Sequence, residues 1–252
     1  MKYKDLFIQL TLREIKARYK QSVLGYAWAV LVPLINLVVL TIVFSHLFKV
    51  PTGNIPYPVF LFVALIPWTL LSNSLSLATG SVLANSSLVT KVSLPREILP
   101  LTSIAARMVD FFLTSIVLVV FLLFYGVQLY PTLLLVPIIL VIQLILLVGM
   151  SFFLSATNVF FRDVENILGV FLTVWMYLTP VVYSPELIPD NLKVLFFLNP
   201  MTGIINAYRS VILYGTLPAW DTFTYSVAFS SLALVLGYLY FKNRSKYFAD
   251  VI

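Results

Sequence analysis

The sequence predicts an all-α polytopic membrane protein with six transmembrane helices, an N-terminal amphipathic interface helix and a re-entrant helical hairpin before the last span. Of its 252 residues, 61% are hydrophobic and only 10% are charged, whereas soluble domains are about half apolar and about one quarter charged. Residues 21–48, 50–90 and 111–161 contain no Asp, Glu, Lys or Arg. Since about 20 apolar helical residues cross a bilayer core, each gap can hold one span, and the third can hold two.

The six predicted spans follow one another in a single domain that covers residues 1–252. Turn-forming residues in KVPTGNIPYP (49–58) end the first span, and the charged loop NVFFRDVE (158–165) separates the fourth from the fifth. The composition argues against a soluble helical core, and the continuous rather than alternating apolar runs argue against a β-barrel. The predicted spans are 26–48, 59–80, 101–125, 132–157, 166–183 and 222–241.

Residues 184–221 contain apolar pieces that are too short to cross a bilayer. One piece covers residues 194–198 and the other covers 201–214, where Arg209 interrupts it. The tripeptide LNP (198–200) separates the two pieces. This pattern predicts a hairpin that enters the membrane and returns on the same side. The alternative is an ordinary loop with a surface helix.

The distribution of basic residues predicts the orientation of the chain. An even number of spans puts both chain ends on one side of the membrane, with thirteen of the sixteen Lys and Arg residues. Basic residues concentrate on the cytoplasmic side, so we expect cytoplasmic termini and a hairpin that faces outside. The thirteen are Lys2, Lys4, Arg13, Lys16, Arg18, Lys20, Lys91, Arg96, Arg107, Arg162, Lys242, Arg244 and Lys246, and the other three are Lys49, Lys193 and Arg209.

Residues 1–20 are predicted to form an amphipathic helix at the membrane interface. In a helix, Ile8, Leu12, Ile15 and Tyr19 fall on one stripe, and Arg13, Lys16 and Lys20 fall on another. Leu6, Leu10 and Ala17 widen the apolar side. A basic anchor that only fixes topology explains these charges equally well. The functional interpretation adds a cytoplasmic subunit, or an anionic lipid-linked substrate, that touches the same helix.

Few residues in this chain are of the types that catalyse reactions or bind metals. There is no cysteine, and His46 is the single histidine, which argues against a metal site and against a Ser-His-Asp triad. The sequence lacks the phosphate-binding loop of an ATPase. Arg107 and Asp110 are three residues apart and predict a local pair on one helix face, with a proton relay as the alternative. We therefore expect no catalytic residue, metal or cofactor on this chain, and an energy source on a partner.

Aromatic residues make up 15% of the chain and allow two interpretations. Trp and Tyr prefer the membrane interface, so an aromatic belt is favoured. The alternative is the lining of a sugar path, because aromatic faces pack against sugar rings while their polar edges form hydrogen bonds.

Four segments in order resemble one family over nearly the whole chain. They are LREIKARYKQSVLGYAWAVLVPL (12–34), NSSLVTKVSLPREILPL (85–101), FFRDVENIL (160–168) with YLTPVVYSPELIP (177–189), and LNPMTGIINAYRSVILYG (198–215). Together they resemble the permease subunit of type-2 ABC exporters for polysaccharides, the Wzm-type O-antigen and teichoic acid branch. Ala64 and Leu94 depart from the usual Gly and Phe.

The resemblance implies the six-span layout that the spacing of charges also predicts. It implies a homodimer bound to two ATP-binding subunits in the cytoplasmic (inner) membrane, with ATP and Mg on those subunits. The substrate would be a long glycan on a polyprenyl pyrophosphate lipid, or a teichoic acid polymer.

The resemblance also suggests roles for individual residues, each beside a plainer alternative. The 85–96 loop would couple to the ATPase or be a solvated loop, and Asp163 could instead cap the fifth span. Arg209 would lie at the outer headgroups. ATPase coupling is assigned to Lys91, Arg96, Glu97, Arg162 and Asp163, and the substrate entrance to Arg13, Arg18 and Lys20. Channel lining is assigned to Tyr26, Trp28, Trp175, Tyr177 and Tyr183, and the hairpin turn to Asn199, Pro200, Gly203 and Arg209.

Three other functions are weighed against this interpretation. The same architecture could serve a type-2 ABC permease for a drug or small lipid. An integral membrane transferase for lipid-linked sugars would need clustered acidic residues, and Asp163 with Glu165 is the one close acidic pair that we identify. A secondary transporter would need internal repeats or charge at the membrane midplane, and neither is evident.

Overall fold

The fold is described by a computed structural model that covers residues 3–20, 22, 24–92 and 94–252, without the side chain of Tyr19. All regular secondary structure within these residues is helical. The helices are α1 (Lys4–Tyr19), α2 (Trp28–Thr41), α3 (Tyr57–Ala84), α4 (Ser86–Lys91), α5 (Ile98–Phe124), α6 (Val136–Phe160), α7 (Val164–Tyr177), α8 (Lys193–Phe197), α9 (Pro200–Arg209), α10 (Trp220–Ser245) and α11 (Phe248–Val251).

Within the described ranges, five helical segments are long and apolar enough to cross a membrane. They correspond to the first, second, third, fourth and sixth predicted spans, with ends that differ by a few residues. An all-α polytopic membrane protein is therefore confirmed. The segments are Gly25–Leu47, Tyr57–Ala84, Ile98–Phe124, Pro131–Phe160 and Trp220–Ser245.

The helix at the fifth predicted span is shorter than the sequence suggests. Its 14 residues, Val164–Tyr177, extend about 21 Å, which is less than a hydrocarbon core of about 30 Å. Pro180 has no backbone N–H and disfavours helical geometry at the preceding Thr179. The chain therefore leaves the helix and passes through a turn, where Val181 and Val182 are buried. The predicted end at residue 183 was wrong for the helix.

α3 forms the centre of the bundle. It packs against α5 and α6 and also contacts α2, α7 and α9, and residues 59–68 are buried without a break. The Pro67 carbonyl, in the middle of α3, accepts a hydrogen bond from Gln143 Nε2 of α6 at 2.7 Å. The Tyr208 hydroxyl of α9 donates to Gln143 Oε1 at 3.1 Å. One buried amide thus connects three helices.

α6 and α10 pack along most of their length and approach closely at two glycines. A Cβ atom built on Gly237 would lie 2.0 Å from the carbonyl oxygen of Gly149, so no larger residue fits there without moving a backbone. Small residues allow this kind of close approach between membrane helices.

α8 and α9 lie in the region of the predicted hairpin, and the break between them falls at Leu198 and Asn199. Asn199 caps α9 by accepting the Met201 backbone N–H at 3.0 Å, and Pro200 is well suited to the first helical position. Gly203 lets α9 pack against α10, because a Cβ there would lie 2.4 Å from the Thr222 carbonyl oxygen. The predicted turn residues therefore determine how α9 begins and packs.

α1 is helical as predicted and buries part of its predicted apolar side. It packs against α5, and Leu10 joins a buried cluster that Leu6 and Phe7 extend. On the predicted apolar stripe, Ile15 is buried whereas Ile8 and Leu12 are each 40% exposed. Contact with α5 therefore involves the residues predicted to widen the apolar side more than the central stripe. The Tyr19 side chain and Lys2 lie outside the described residues.

Candidate functional sites

A basic groove lies between α1 and the turn that leads into α2. Its volume is about 700 Å³, and Arg13, Lys16, Lys20 and Tyr26 line it together with Gln9, Leu12 and Ala17. Arg13 also donates a hydrogen bond to the Asn85 side chain, which follows α3. Three cationic side chains beside an aromatic ring can bind a phosphate or pyrophosphate group through charge-assisted hydrogen bonds. The groove therefore combines two of the predicted entrance residues with Tyr26, which was assigned to the channel.

Arg18, the third predicted entrance residue, contacts a different part of the structure. Its guanidinium pairs with the Asp110 carboxylate of α5, and Arg107 Nη1 lies 3.2 Å from the same carboxylate. The predicted pair of Arg107 and Asp110 is confirmed. The additional bond from Arg18 ties α1 to α5, as the bond from Arg13 to Asn85 ties α1 to the end of α3.

A second cavity of about 590 Å³ lies between α2, α3 and α5. Arg18, Arg107 and Asp110 border it together with Trp28 and Asn36 of α2. Three residues of α2 are buried, Ala29, Pro33 and Leu37, and the Gly25–Leu47 segment is among the least buried of the candidate spans. α2 therefore has open space between itself and the neighbouring helices.

The five predicted channel residues do not form one surface in the single chain. Tyr26, Trp28 and Tyr177 are exposed, and the Tyr183 hydroxyl donates to the Tyr177 carbonyl at 2.7 Å. Trp175 is buried at 8% exposure. Its Nε1 donates to Asn199 Oδ1 at 2.9 Å, so Trp175 holds α7 against the start of α9.

Arg209 is buried, although the sequence predicts a position at the headgroups. It is 2% exposed, and it donates to the carbonyl oxygens of Pro180 at 2.5 Å and Val181 at 2.7 Å. Its guanidinium carbon lies 3.6 Å from the centre of the Phe60 ring. Pro180 and Val181 lie in the turn after α7, outside any helix, and a planar guanidinium can donate to both carbonyls at once. In the sequence, Pro180 marks the break after α7, but no local pattern links that break to Arg209.

The predicted coupling residues lie at the end of the bundle where α3, α6 and α10 finish and α5 and α7 begin. Lys91 is exposed at the end of α4. The guanidinium of Arg96 lies 5.9 Å from the Phe248 ring centre, and Glu97 Oε1 lies 3.1 Å from Lys242 Nζ.

Arg162 and Asp163 occupy an exposed turn between α6 and α7 at this same end. Lys242 and Phe248 also lie beside the predicted coupling residues, and neither was predicted there from the sequence. Phe248 carried a usable signal, since it is an aromatic residue among the charges that follow α10.

Known proteins similar to this chain agree with this architecture. The family model for the ABC-2 type transporter matches residues 5–213. "O-antigen export system permease protein RfbA" of Klebsiella pneumoniae is 32% identical over 98% of this chain and 95% of its own length. A protein of the same name from Myxococcus xanthus is 32% identical over 99% and 96%. "Polysialic acid transport protein KpsM" of Escherichia coli is 22% identical over 94% and 92%. The chain therefore belongs to the ABC-2 type transporter family.

Proposed function

We propose that this chain is the membrane-spanning channel subunit of an ATP-driven exporter that moves a lipid-linked, O-antigen-like polysaccharide across the cytoplasmic membrane. The observation that carries this proposal is the nearly full-length similarity to two proteins named as O-antigen export permeases. The basic groove at one end of the helical bundle supports it, because a polyprenyl-linked glycan carries a pyrophosphate that needs a cationic site.

The channel forms between two copies of the chain, along the exposed faces of α2 and α7. These faces carry Asn36, Asn166 and Tyr177, which are exposed in the single chain. Polar groups that face lipid are costly, and such groups tend instead to face other protein or water. A second copy placed against these faces would surround a hydrated path with them.

The substrate enters beside α1 on the cytoplasmic side. Arg13, Lys16 and Lys20 bind the pyrophosphate in the groove, where Lys16 and Lys20 are exposed. Tyr26 borders the same groove, so its ring can pack against the first sugar. Trp28 borders the neighbouring cavity between α2, α3 and α5. Arg18 positions α1 through Asp110.

The energy for export comes from ATP hydrolysis on two separate partner subunits, which hold ATP and Mg. α4 is the principal docking element, with Lys91 at its end. Arg96 and Glu97 contribute from the segment directly before α5, and the turn with Arg162 and Asp163 is a second contact. In this orientation both chain ends and the docking surface are cytoplasmic, which agrees with the excess of Lys and Arg on that side. This chain itself has no catalytic role.

The docking assignment is tested by reversing two charges in the intact complex. We expect Lys91→Glu with Arg96→Glu to abolish export while the partner still hydrolyses ATP, because the motion of the ATPase no longer reaches the spans. Surface glycan and ATP hydrolysis are measured on the same membranes. Lys193→Glu is the control, since Lys193 is exposed near the opposite end of α7. Normal export in the double variant would refute the docking assignment.

The groove is tested separately with neutral substitutions. We expect Arg13→Gln with Lys16→Gln and Lys20→Gln to raise the concentration of lipid-linked glycan needed for half-maximal ATPase stimulation by roughly tenfold or more, because each lost charge removes a charge-assisted bond. Lys246→Gln is the control for net charge. An unchanged half-maximal concentration would show that the groove does not bind the pyrophosphate.

A further inference from the structure

The last helix, α11, folds back onto the end of the bundle. It lies against α4 and against the end of α6. Its first residue, Phe248, is 0% exposed, although it is three residues after α10 and has charged neighbours. A fully buried aromatic in so short a helix indicates that α11 is held by tertiary contacts.

Phe248 lies in a small aromatic cluster. Its ring is edge-on to Phe241 of α10 at 5.5 Å and lies 6.1 Å from Phe160 of α6, measured between ring centres. Val89 of α4 belongs to the same buried cluster. Aromatic pairs at these separations add to the stabilisation from burial alone. The cluster therefore joins α4 to α6 and α10 through α11.

α4 depends on these contacts. It has six residues, and Val89 is the one that is buried. An isolated helix of this length is unstable in water, and helices in proteins gain most of their stability from packing an apolar face. Val89 packs into the buried cluster that contains Phe248, and α4 contacts α3 as well as α11. α11 is therefore one of the two helices that position α4.

A second contact ties α10 to the other end of the docking segment. Lys242 Nζ of α10 lies 3.1 Å from Glu97 Oε1, directly before α5 begins. The pair is partly exposed and contributes little to stability on its own. The segment that connects α3 to α5 is thus contacted at two points. The cluster around Phe248 contacts it at α4, and Lys242 contacts it at Glu97.

We propose that α11 is a latch that sets the position of α4 for the ATPase partner, with Phe248 as the positioning residue. The role of the latch in docking rests on the proposed function, since it requires that α4 contacts the ATPase. Through the latch, a displacement of α4 reaches α10 and α6 as well as α5. The last span then takes part directly in coupling.

The first experiment tests the latch without the ATPase. Because the chain contains no cysteine, Lys91→Cys introduces a single site for a nitroxide spin label. The labelled full-length chain is placed in lipid nanodiscs with and without Phe248→Ala. We expect the spectrum to show a clearly more mobile label in the Phe248→Ala variant. Tyr247→Ala is the matched control, because Tyr247 is the adjacent residue and is 55% exposed. Equal mobility of the label in the Phe248→Ala and Tyr247→Ala variants would overturn the latch.

The second experiment tests docking in the intact complex, with Lys91 present. We expect Phe248→Ala to weaken binding of the ATPase subunit roughly tenfold or more, as for other residues that order an interface, and to lower export in proportion. Phe248→Leu should restore most of the binding, since it refills the apolar site. Unchanged binding in Phe248→Ala would overturn the role in docking, even where the label is mobile.

The two experiments separate failure of the latch from failure of the proposed function. A wild-type chain that binds no ATPase would refute the proposed coupling, and the docking role of α11 with it. The spin-label spectrum would then still decide whether Phe248 fixes α4.

Discussion

Replacing Arg209 by methionine tests whether the buried guanidinium stabilises the turn that follows α7. Methionine has a similar length and fills most of the same space, but it donates no hydrogen bond. The change removes the bonds to the carbonyls of Pro180 and Val181 and the contact with the Phe60 ring. These carbonyls lie in a site that is closed to water, so they would lose their donors without replacement.

The expected size of the effect follows from these contacts. Each buried acceptor without a donor costs about 1–3 kcal/mol, and a desolvated cation over a ring contributes about 2 kcal/mol. Removing a charge from a buried site recovers part of this loss, because burying an ion is itself costly. We therefore expect a net loss of about 2–4 kcal/mol, which corresponds to a fall in Tm of roughly 5–15 °C for a chain of this size.

The assay is thermal unfolding of the purified chain in one detergent at one heating rate, since membrane proteins often unfold irreversibly. Arg209→Lys keeps the charge but cannot donate to both carbonyls in a planar fork, so its Tm should fall between those of wild type and Arg209→Met. Arg162→Met is the control, because Arg162 is exposed in a turn. A Tm for Arg209→Met within 2 °C or so of the Arg162→Met value would refute the reasoning.

Two further substitutions test the packing of the bundle. Gly237→Ala should sharply lower the yield of folded protein, because its Cβ would lie 2.0 Å from the Gly149 carbonyl oxygen; Gly169→Ala, which meets no atom within 4 Å, should leave the yield unchanged or raise it. Gln143→Leu should cost about 1–3 kcal/mol of stability in thermal unfolding, since the buried Tyr208 hydroxyl loses its acceptor and the Pro67 carbonyl loses its side-chain donor. Equal yields of the two alanine variants, or a wild-type Tm for Gln143→Leu, would contradict these expectations.

The sequence predicts most spans well because a membrane helix must satisfy its backbone internally and must be apolar over a fixed length. The second span illustrates this, since 59–80 lies within Tyr57–Ala84. The fifth span was misjudged at one end because Val181, Val182 and Tyr183 continue the apolar run after Pro180. In that segment the restriction that proline places on the backbone outweighs hydropathy.

The basic groove was predictable in part from helical geometry. Arg13 and Lys20 are seven residues apart, so they lie on the same face of α1, and the structure places both in the groove. Arg18 is five residues after Arg13 and points to another side. Its partner, Asp110, is 92 residues away, and no local pattern in the sequence indicates that contact.

Long-range contacts of this kind explain the other errors at the candidate sites. Arg209 was predicted at the headgroups because a long charged side chain in an apolar segment usually extends to water. Its carbonyl partners belong to a break 28 or 29 residues earlier, and only the fold brings them together. Phe248 has the same character, since its ring partners lie on α6 and α10.

The central position of α3 has a consequence for assembly. Its residues are mostly enclosed by other helices, yet α5, α6 and α9, which enclose it, are all synthesised later. α3 must therefore enter the bilayer surrounded by lipid and exchange lipid for protein afterwards. Moving apolar surface from lipid to protein gains no hydrophobic free energy, so close fit of shape has to drive that exchange. Substitutions that change side-chain volume within α3 should thus leave the chain inserted in the bilayer but not packed into the bundle.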